Sequence, residues 1–271
     1  NNFKNLTDWE TNTIHANNFK FYEELDEVIQ REPSDLFSPE LLGMASAIGI
    51  QKGKPFNPSP EQKALLTEAV AIGNATARSI LFGPQDPKNY IYPDKAGFWQ
   101  TGFPGGSHEY LVDNGNGGRD MDGRTLFFYL ATVNTPAMAL EIPGVGSQYA
   151  FTSRDGTGAY LDGSNTYKLN IPANPPAQKF WSFVVYDPQT RSMLQSGEMP
   201  YPSKNNKRNA DMVKNADGSI DLYFGPAAPA GMEANWVKTV PGKGWFGIFR
   251  LYGPGQEWFD RTWKLGDIEK I

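Results

Sequence analysis

Asp122 and Arg124 are the pair in this sequence best suited to chemistry. They enter the run RTLFFYLAT, whose period reads as a strand over 124–134, and at i, i+2 on a strand they would share one face. An acid held beside an arginine can orient a substrate carboxylate or carbonyl, or it can be a buried structural ion pair. With Asp122 or Glu109 as general acid or base, and arginines stabilising a developing oxyanion, such a set would serve an enzyme. Tyr129, Arg191 and Arg250 extend it as substrate-binding candidates, because each places a polar group inside an apolar, strand-like run. A charge in that setting must be paired or face a cavity.

Histidine offers less. The chain has two, His15 and His108, so it cannot build a three-histidine zinc site by itself. Ser107, His108 and Glu109 are consecutive, and on a strand over 107–112 their side chains alternate faces and form no triad. His108 is a candidate substrate contact or a polar residue at a strand end. No Gly-x-Ser-x-Gly elbow, P-loop or dinucleotide fingerprint occurs. The absence of cysteine removes thiolate catalysis and disulfides.

Two loops carry hard oxygen donors of the kind calcium prefers. In the first, Asp113 to Arg124, the twelfth position is arginine where an EF-hand needs glutamate, which favours a solvated loop. In the second, Asn215 to Asp221, the flanking Ile220 and Leu222-Tyr223-Phe224 favour a hairpin with an Asp-Gly turn. The sequence therefore predicts no cofactor and no metal site, with calcium the one metal these loops would suit.

The elements that must position these residues fall into two regions. After an extended leader over 1–17, a helical subdomain is expected over 18–85. Its first helix carries Phe21, Leu25, Val28 and Ile29 on one face and ends before Pro33. Ser38-Pro39-Glu40 starts a second, with serine as N-cap. Ser59-Pro60-Glu61-Gln62 starts a third as a capping box in which Gln62 reaches back, and that helix stops at Gly83-Pro84. From residue 90 the period changes to 2. Strands are predicted over 107–112, 124–134, 146–153, 167–171, 179–186, 191–195, 219–224 and 244–252, with turns at Asp155-Gly156, Asp162-Gly163 and Asp187-Pro188 between them. The fold class expected is mainly β with a small all-α segment: a jelly-roll-like antiparallel β-sandwich over 90–271 preceded by a three-helix subdomain. The aromatic stripe Trp245, Phe246, Phe249, Tyr252, Trp258, Phe259 and Trp263 reads as core, with Trp258 and Trp263, beyond the last strand, open to a surface role.

Bulk properties exclude some functions. With 39% hydrophobic and 20% charged residues the chain is globular, not disordered. A net charge of −5 and no basic cluster longer than Lys204 to Arg208 argue against nucleic-acid binding. No run of 18 apolar residues predicts a membrane span.

Taken as they stand, TLFFYLATVNTPAM, GVGSQYAF, YLDGSNTYKLNIP, FWSFVVYDPQTRSML, NADGSIDLYFGP and KGWFGIFRLYGP resemble the DUF1214 domain. TIHANNFKFYEELDEVIQREP and GIQKGKPFNPSPEQKALLTEA resemble the helical linker that precedes it. The resemblance spans essentially the whole chain. In that family a DUF1254 domain comes first, two β-sandwich domains flank the helical segment, and the proteins are exported bacterial ones. The resemblance thus implies that this chain is a C-terminal part, extracytoplasmic (periplasmic or secreted), whose partner is the missing N-terminal DUF1254-like domain or a second subunit. It supplies architecture and no catalytic set.

Three functions follow as expectations. The first is an enzyme acting on a small organic or glycan-derived substrate in a sandwich cleft. The second is a non-catalytic module that binds glycans or lipophilic ligands through exposed tryptophan and tyrosine. The third is a structural or assembly protein, including a homo-oligomer. A site should gather the polar side chains around one cavity; an assembly protein should scatter them.

Overall fold

Ser38 and Ser59 start helices as their spacing predicts. The structure, a computed structural model, describes residues 14–271 except 93, 95, 132, 198 and 200. It divides into two compact units, Asn1–Ser79 and Ile80–Ile271. The leader expected over 1–17 lies outside the described residues through residue 13. Residues 15–17 carry no regular structure.

α1 spans Lys20–Arg31 and α2 Pro39–Ala47 in the first unit, and α3, Pro60–Phe82, lies in it except for its last three residues. Ser38 Oγ accepts from Leu41 N at 3.3 Å, satisfying one orphan donor of α2. The box at α3 is only half made. Ser59 Oγ accepts from Gln62 N at 3.2 Å, but the Gln62 amide turns away and donates to Ile48 O at 2.8 Å, tying down the end of α2. Lys52 closes α1 by donating to the carbonyls of Ile29, Gln30 and Glu32 at 3.2, 2.8 and 2.7 Å. The buried face of α1 is Tyr22 and Ile29, packed with Ala45, Ile50 and Leu66, while Phe21 and Val28 of the expected face are exposed.

The second unit holds α4 (Met121–Leu130), α5 (Pro136–Ala139), β1 (Ser147–Thr152), β2 (Tyr167–Ile171), β3 (Ala177–Tyr186), β4 (Ser203–Asn205), β5 (Ile220–Gly225), β6 (Trp236–Lys238), β7 (Phe246–Pro254), α6 (Gln256–Phe259) and β8 (Ile268–Lys270). They form two four-stranded sheets, β1-β7-β3-β4 and β6-β5-β2-β8. The first is antiparallel. The second is mixed, because β5 and β6 run parallel. One core cluster draws on both sheets, including Phe183, Phe249 and Trp181 from the first and Leu169, Leu222 and Phe224 from the second. Trp258 and Trp263 are buried in the same cluster, so neither forms a surface platform.

Three predicted strands are not strands. Over 124–130 the chain is helical instead. Asp120 Oδ1 accepts from Gly123 N at 2.9 Å, and this N-cap starts α4 in spite of the β-prone aromatics that follow. Over 107–112, Tyr110 takes φ 58° and Asp113 φ 48°, left-handed values that break an extended ladder, and only the single bridge Leu111–Arg119 forms. Over 191–195, Arg191 takes φ 57° and its N–H returns to Asp187 O at 2.8 Å, leaving one bridge, Tyr186–Met193. The short strands β4, β6 and β8 carry too few residues to show a period. On β4, an edge strand, Lys204 stands opposite Phe183 with 8% exposure. Burial pulls its ammonium pKa down, and an inward-pointing charge of this kind blunts edge-to-edge pairing. Among the described residues no helix is long and apolar enough to cross a membrane.

Phe183 is the wedge between the sheets, its ring 4.9 Å from that of Phe224 and 6.5 Å from Trp99. It has room because Gly247 lies beside it on β7: a Cβ there would stand 2.2 Å from Phe183 Cζ. Gly247→Ala should therefore cost about 1–3 kcal/mol by overpacking. Urea unfolding checks this, and an unchanged midpoint would remove the wedge from the account.

Candidate functional site

The free edge of β1 is covered by a ribbon. Gln100 exchanges backbone hydrogen bonds with Phe151 at 2.8 and 3.1 Å, and the ribbon folds back through Ile91 N to Trp99 O at 2.8 Å and Thr101 N to Asn89 O at 2.9 Å. The buried Gln100 amide donates to Leu81 O at 3.2 Å. Where the ribbon, β1 and the turn after α6 meet, a cavity of about 100 Å³ opens. Its charged lining is Lys88, Glu141 and Arg261, and its neutral polar lining includes Tyr90, Thr101, Gln148 and Tyr149. Phe103 and Trp258 supply apolar wall. Phe103 is held by a small aromatic core, 4.4 Å from Phe127 of α4 and 5.9 Å from Tyr110. Burial pushes the Tyr110 phenol well above its ordinary range.

Each charge in the lining is set by local chain chemistry. Asp86 caps a 3-10 turn over Pro87–Asn89 by accepting from Lys88 N at 3.0 Å. The Lys88 ammonium then spans Asp86 at 2.9 Å and Asp120 at 3.3 Å, so it braces that turn to the N-terminus of α4. Arg261 takes φ 64°, a costly left-handed value for a residue with a side chain. The Asp260 carboxylate supports this turn by accepting from Thr262 N and Oγ1 at 3.1 and 2.7 Å. Arg261 Nη1 donates to the Trp258 carbonyl, and its guanidinium lies 5.6 Å from the Trp258 ring centre.

Behind Tyr149 stands Arg250, directly across from it in the β1–β7 ladder. Arg250 Nη2 donates to Tyr186 Oη at 2.5 Å, and the guanidinium lies 5.9 and 5.8 Å from the Tyr149 and Tyr186 ring centres. Its Nε is buried without a hydrogen-bond partner among the described residues. Burial pushes the Tyr186 phenol up, against a smaller pull from Arg250. Among the described residues neither Arg250 nor Arg261 has a carboxylate within 4 Å.

The residues singled out from sequence do not converge on this cavity. Asp122 and Arg124 sit on α4, where i, i+2 positions diverge, and Asp122 is exposed. Glu109 is exposed, and its carbonyl accepts from Arg119 Nη1 at 2.8 Å. The His108 carbonyl accepts from Asn134 Nδ2 at 2.8 Å. Tyr129 and Arg191 do meet. Arg191 donates to the Tyr129 carbonyl at 3.2 Å and to its hydroxyl at 3.3 Å, with the guanidinium 4.2 Å from the ring centre, a clamp between α4 and the turn after β3. Arg250 stands one side chain behind the cavity. Sequence reasoning missed Lys88, Glu141 and Arg261, which lie outside the predicted strands; the available signals were the Asp86-Pro87 cap and the polar residues of GVGSQYAF in the strand predicted over 146–153.

A second, wider cleft of about 590 Å³ lies against β2, β5 and β8, lined by Asn170, Asn215, Asp217, Asp221, Asp267 and Glu269 among others. Many of its polar groups satisfy one another: Asn170 Nδ2 donates to Asp221 at 2.7 Å, and Ser219 Oγ to Asp217 at 2.7 Å. The turn expected at Asp217-Gly218 forms and feeds β5, but its other arm is not a strand. Among the described residues no group of three or more histidines and acids is placed to share a metal ion. The smaller cavity is the better candidate, because the Arg261 guanidinium in its lining has no carboxylate within 4 Å among the described residues.

Residues 146–256 match the family described as "Protein of unknown function (DUF1214)". They run from the start of β1 through β7, and take in every strand except β8. A Vibrio parahaemolyticus protein, VPA0106, resembles the chain at 18% identity and a TM-score of 0.45, over 93% of this chain and 55% of its own. A Burkholderia cenocepacia protein does so at 14% identity and a TM-score of 0.34, over 86% of this chain and 48% of its own. The chain spans about half the length of each. No curated protein matches it.

The Lys88 brace has a pH signature. Hydrogen bonds from the Lys88 side chain and then its backbone hold the Asp86 carboxyl below its ordinary range, so its stability is present above the unfolded pKa and is lost as pH falls through the folded value. Lys88 is raised, chiefly by Asp86, so its stability is full below the unfolded lysine pKa and is lost as pH rises through the folded one. The brace therefore works between about pH 4 and pH 10. Lys88→Met should flatten the fall of the melting temperature below about pH 4; an unaltered acid limb would show that the brace adds nothing.

Proposed function

We propose that the chain is the C-terminal part of a longer extracytoplasmic protein. In this reading its jelly-roll-type sandwich holds a small organic or glycan-derived molecule in the cavity beside β1. The match over 146–256 supports the DUF1214 portion, and the linker-like motifs between 13 and 69 support a preceding DUF1254-like domain. The observation that carries the ligand reading is the cavity lining: Lys88, Glu141 and Arg261 come from three segments far apart in sequence and border one small space. Scattered surface charge has no reason to converge in this way.

Binding through surface tryptophans finds less support, since Trp99, Trp181, Trp245, Trp258 and Trp263 are buried. An enzyme is favoured over a pure binding module by one observation. Glu141 shares the lining with two cations and the Tyr90 and Tyr149 phenols, where a carboxyl can exchange a proton with a bound molecule. In this reading Glu141 takes the acid–base role first considered for Asp122 and Glu109. On the helical unit, Leu65 and Ile72, two turns apart on α3, and Met44 on α2 are exposed, and they offer apolar surface to the preceding domain or to a second subunit.

The test is to fill the cavity. Thr101→Met should weaken binding of small hydroxy acids or sugar acids at least tenfold while the melting temperature stays within a few degrees. Binding that survives with the cavity filled would place the site elsewhere. Once turnover of a substrate is found, Glu141→Gln should lower kcat by about 10²-fold with little change in binding, and a kcat within twofold of the parent would remove Glu141 from the chemistry.

A further inference from the structure

We propose that the cavity beside β1 takes the carboxylate group of a small organic acid, with Arg261 as its charge partner. This rests on the preceding reading that the cavity holds a small molecule, and adds the chemical class.

Charge is the first argument. Lys88 is already neutralised by Asp86 and Asp120. Arg261, half-buried in the wall, and Arg250, one layer behind Tyr149 and outside the lining, have no carboxylate within 4 Å among the described residues. Arg250 Nε is buried with no acceptor. A half-buried guanidinium whose nearest carboxylate stays beyond 4 Å is under-compensated, and an anion in the cavity would give Arg261 a direct partner. Glu141, at the exposed mouth, opposes any second negative charge, so a monoanionic carboxylate fits the balance better than a phosphate dianion.

Geometry agrees. One nitrogen of Arg261 is fixed on the Trp258 carbonyl and the backbone is held in a left-handed turn, so the rest of the fork is pre-positioned. The volume of about 100 Å³ is below the roughly 150 Å³ of a cavity that admits benzene. A carboxylate head with one or two further heavy atoms matches that volume, and the rest of a larger molecule would extend through the mouth. Thr101 Oγ1 accepts from Phe103 N at 3.1 Å and keeps its own proton to donate, and Gln148 lines the same wall, so a hydroxyl next to the carboxylate also finds partners.

The experiment is an NMR titration of the ¹⁵N-labelled chain, following the indole N–H of Trp258, with sodium glycolate, ethylene glycol and inorganic phosphate as probes. Glycolate is expected to bind at least tenfold tighter than ethylene glycol and than phosphate. Arg261→Gln should weaken glycolate at least tenfold and leave ethylene glycol unchanged, with Arg261→Lys between. If Arg261→Gln does not fold, the wild-type selectivity decides alone. Phosphate binding as tightly as glycolate, or a folded Arg261→Gln that keeps its glycolate affinity, overturns the proposal. Ethylene glycol binding without glycolate overturns the carboxylate class and leaves the small-molecule reading standing. If neither probe moves the Trp258 signal, both fall.

Discussion

The contact of Phe183 with Phe224 is what the larger unit depends on. The two sheets share no strand, so side-chain packing joins their faces, and this pair sits on inner strands of both, β3 and β5. Burying aromatic rings at such a junction is the largest single gain per residue available to a sandwich. It also dictates sequence elsewhere. Gly247 must lack a side chain, and the facing row of Ala150, Phe249 and Phe183 must stay apolar from β1 across to β3. The opposite face of the same sheet is released from that demand, and there Arg250 and Tyr149 can stand side by side.

The candidate site follows from how the sheet ends. An edge strand offers unpaired backbone groups, and here the ribbon through Gln100 takes them up without joining the named strands of the sheet. A ribbon that bridges at one point cannot pack as tightly as a strand, and the cavity occupies the gap. Its polar character comes from the loops that border it, since loops carry the turn and capping residues Asp86, Lys88, Asp260 and Arg261. A single feature, an incompletely matched edge, thus gives both space and charge.

Long alternating strands were legible in the sequence. Residues 167–171 appear as β2 with the same bounds, and the strands read at 179–186, 219–224 and 244–252 differ by about two residues at their ends. Serine-proline starts gave α2 and α3. The reading failed where local preferences disagreed. RTLFFYLAT has strand-forming residues, yet Asp120 four positions upstream caps a helix, and one hydrogen bond at the start outweighed propensity. The pair Asp122–Arg124 owed its appeal to that wrong period and lost its shared face with it. The cavity itself was illegible, because residues 88, 141 and 261 become neighbours only through tertiary packing. Arg250 was found for a sound reason, being a charge on an apolar strand, although what it faces is a tyrosine layer and not the open cavity.

The strand order of the first sheet also bears on how the chain acquires its structure. β7 pairs on both sides, with β1 and β3, and it lies close to the C-terminal end of the chain described. Until Phe246–Pro254 is in place, β1 has no named partner strand and β3 pairs with β4 alone. More than a hundred positions separate Ser147 from Tyr252, which pair in the ladder, so loop closure precedes most of the stabilising contact. The unit is thus expected to collapse late and as a whole, and a partly made chain carries two exposed apolar strands that a chaperone or a neighbouring chain can capture.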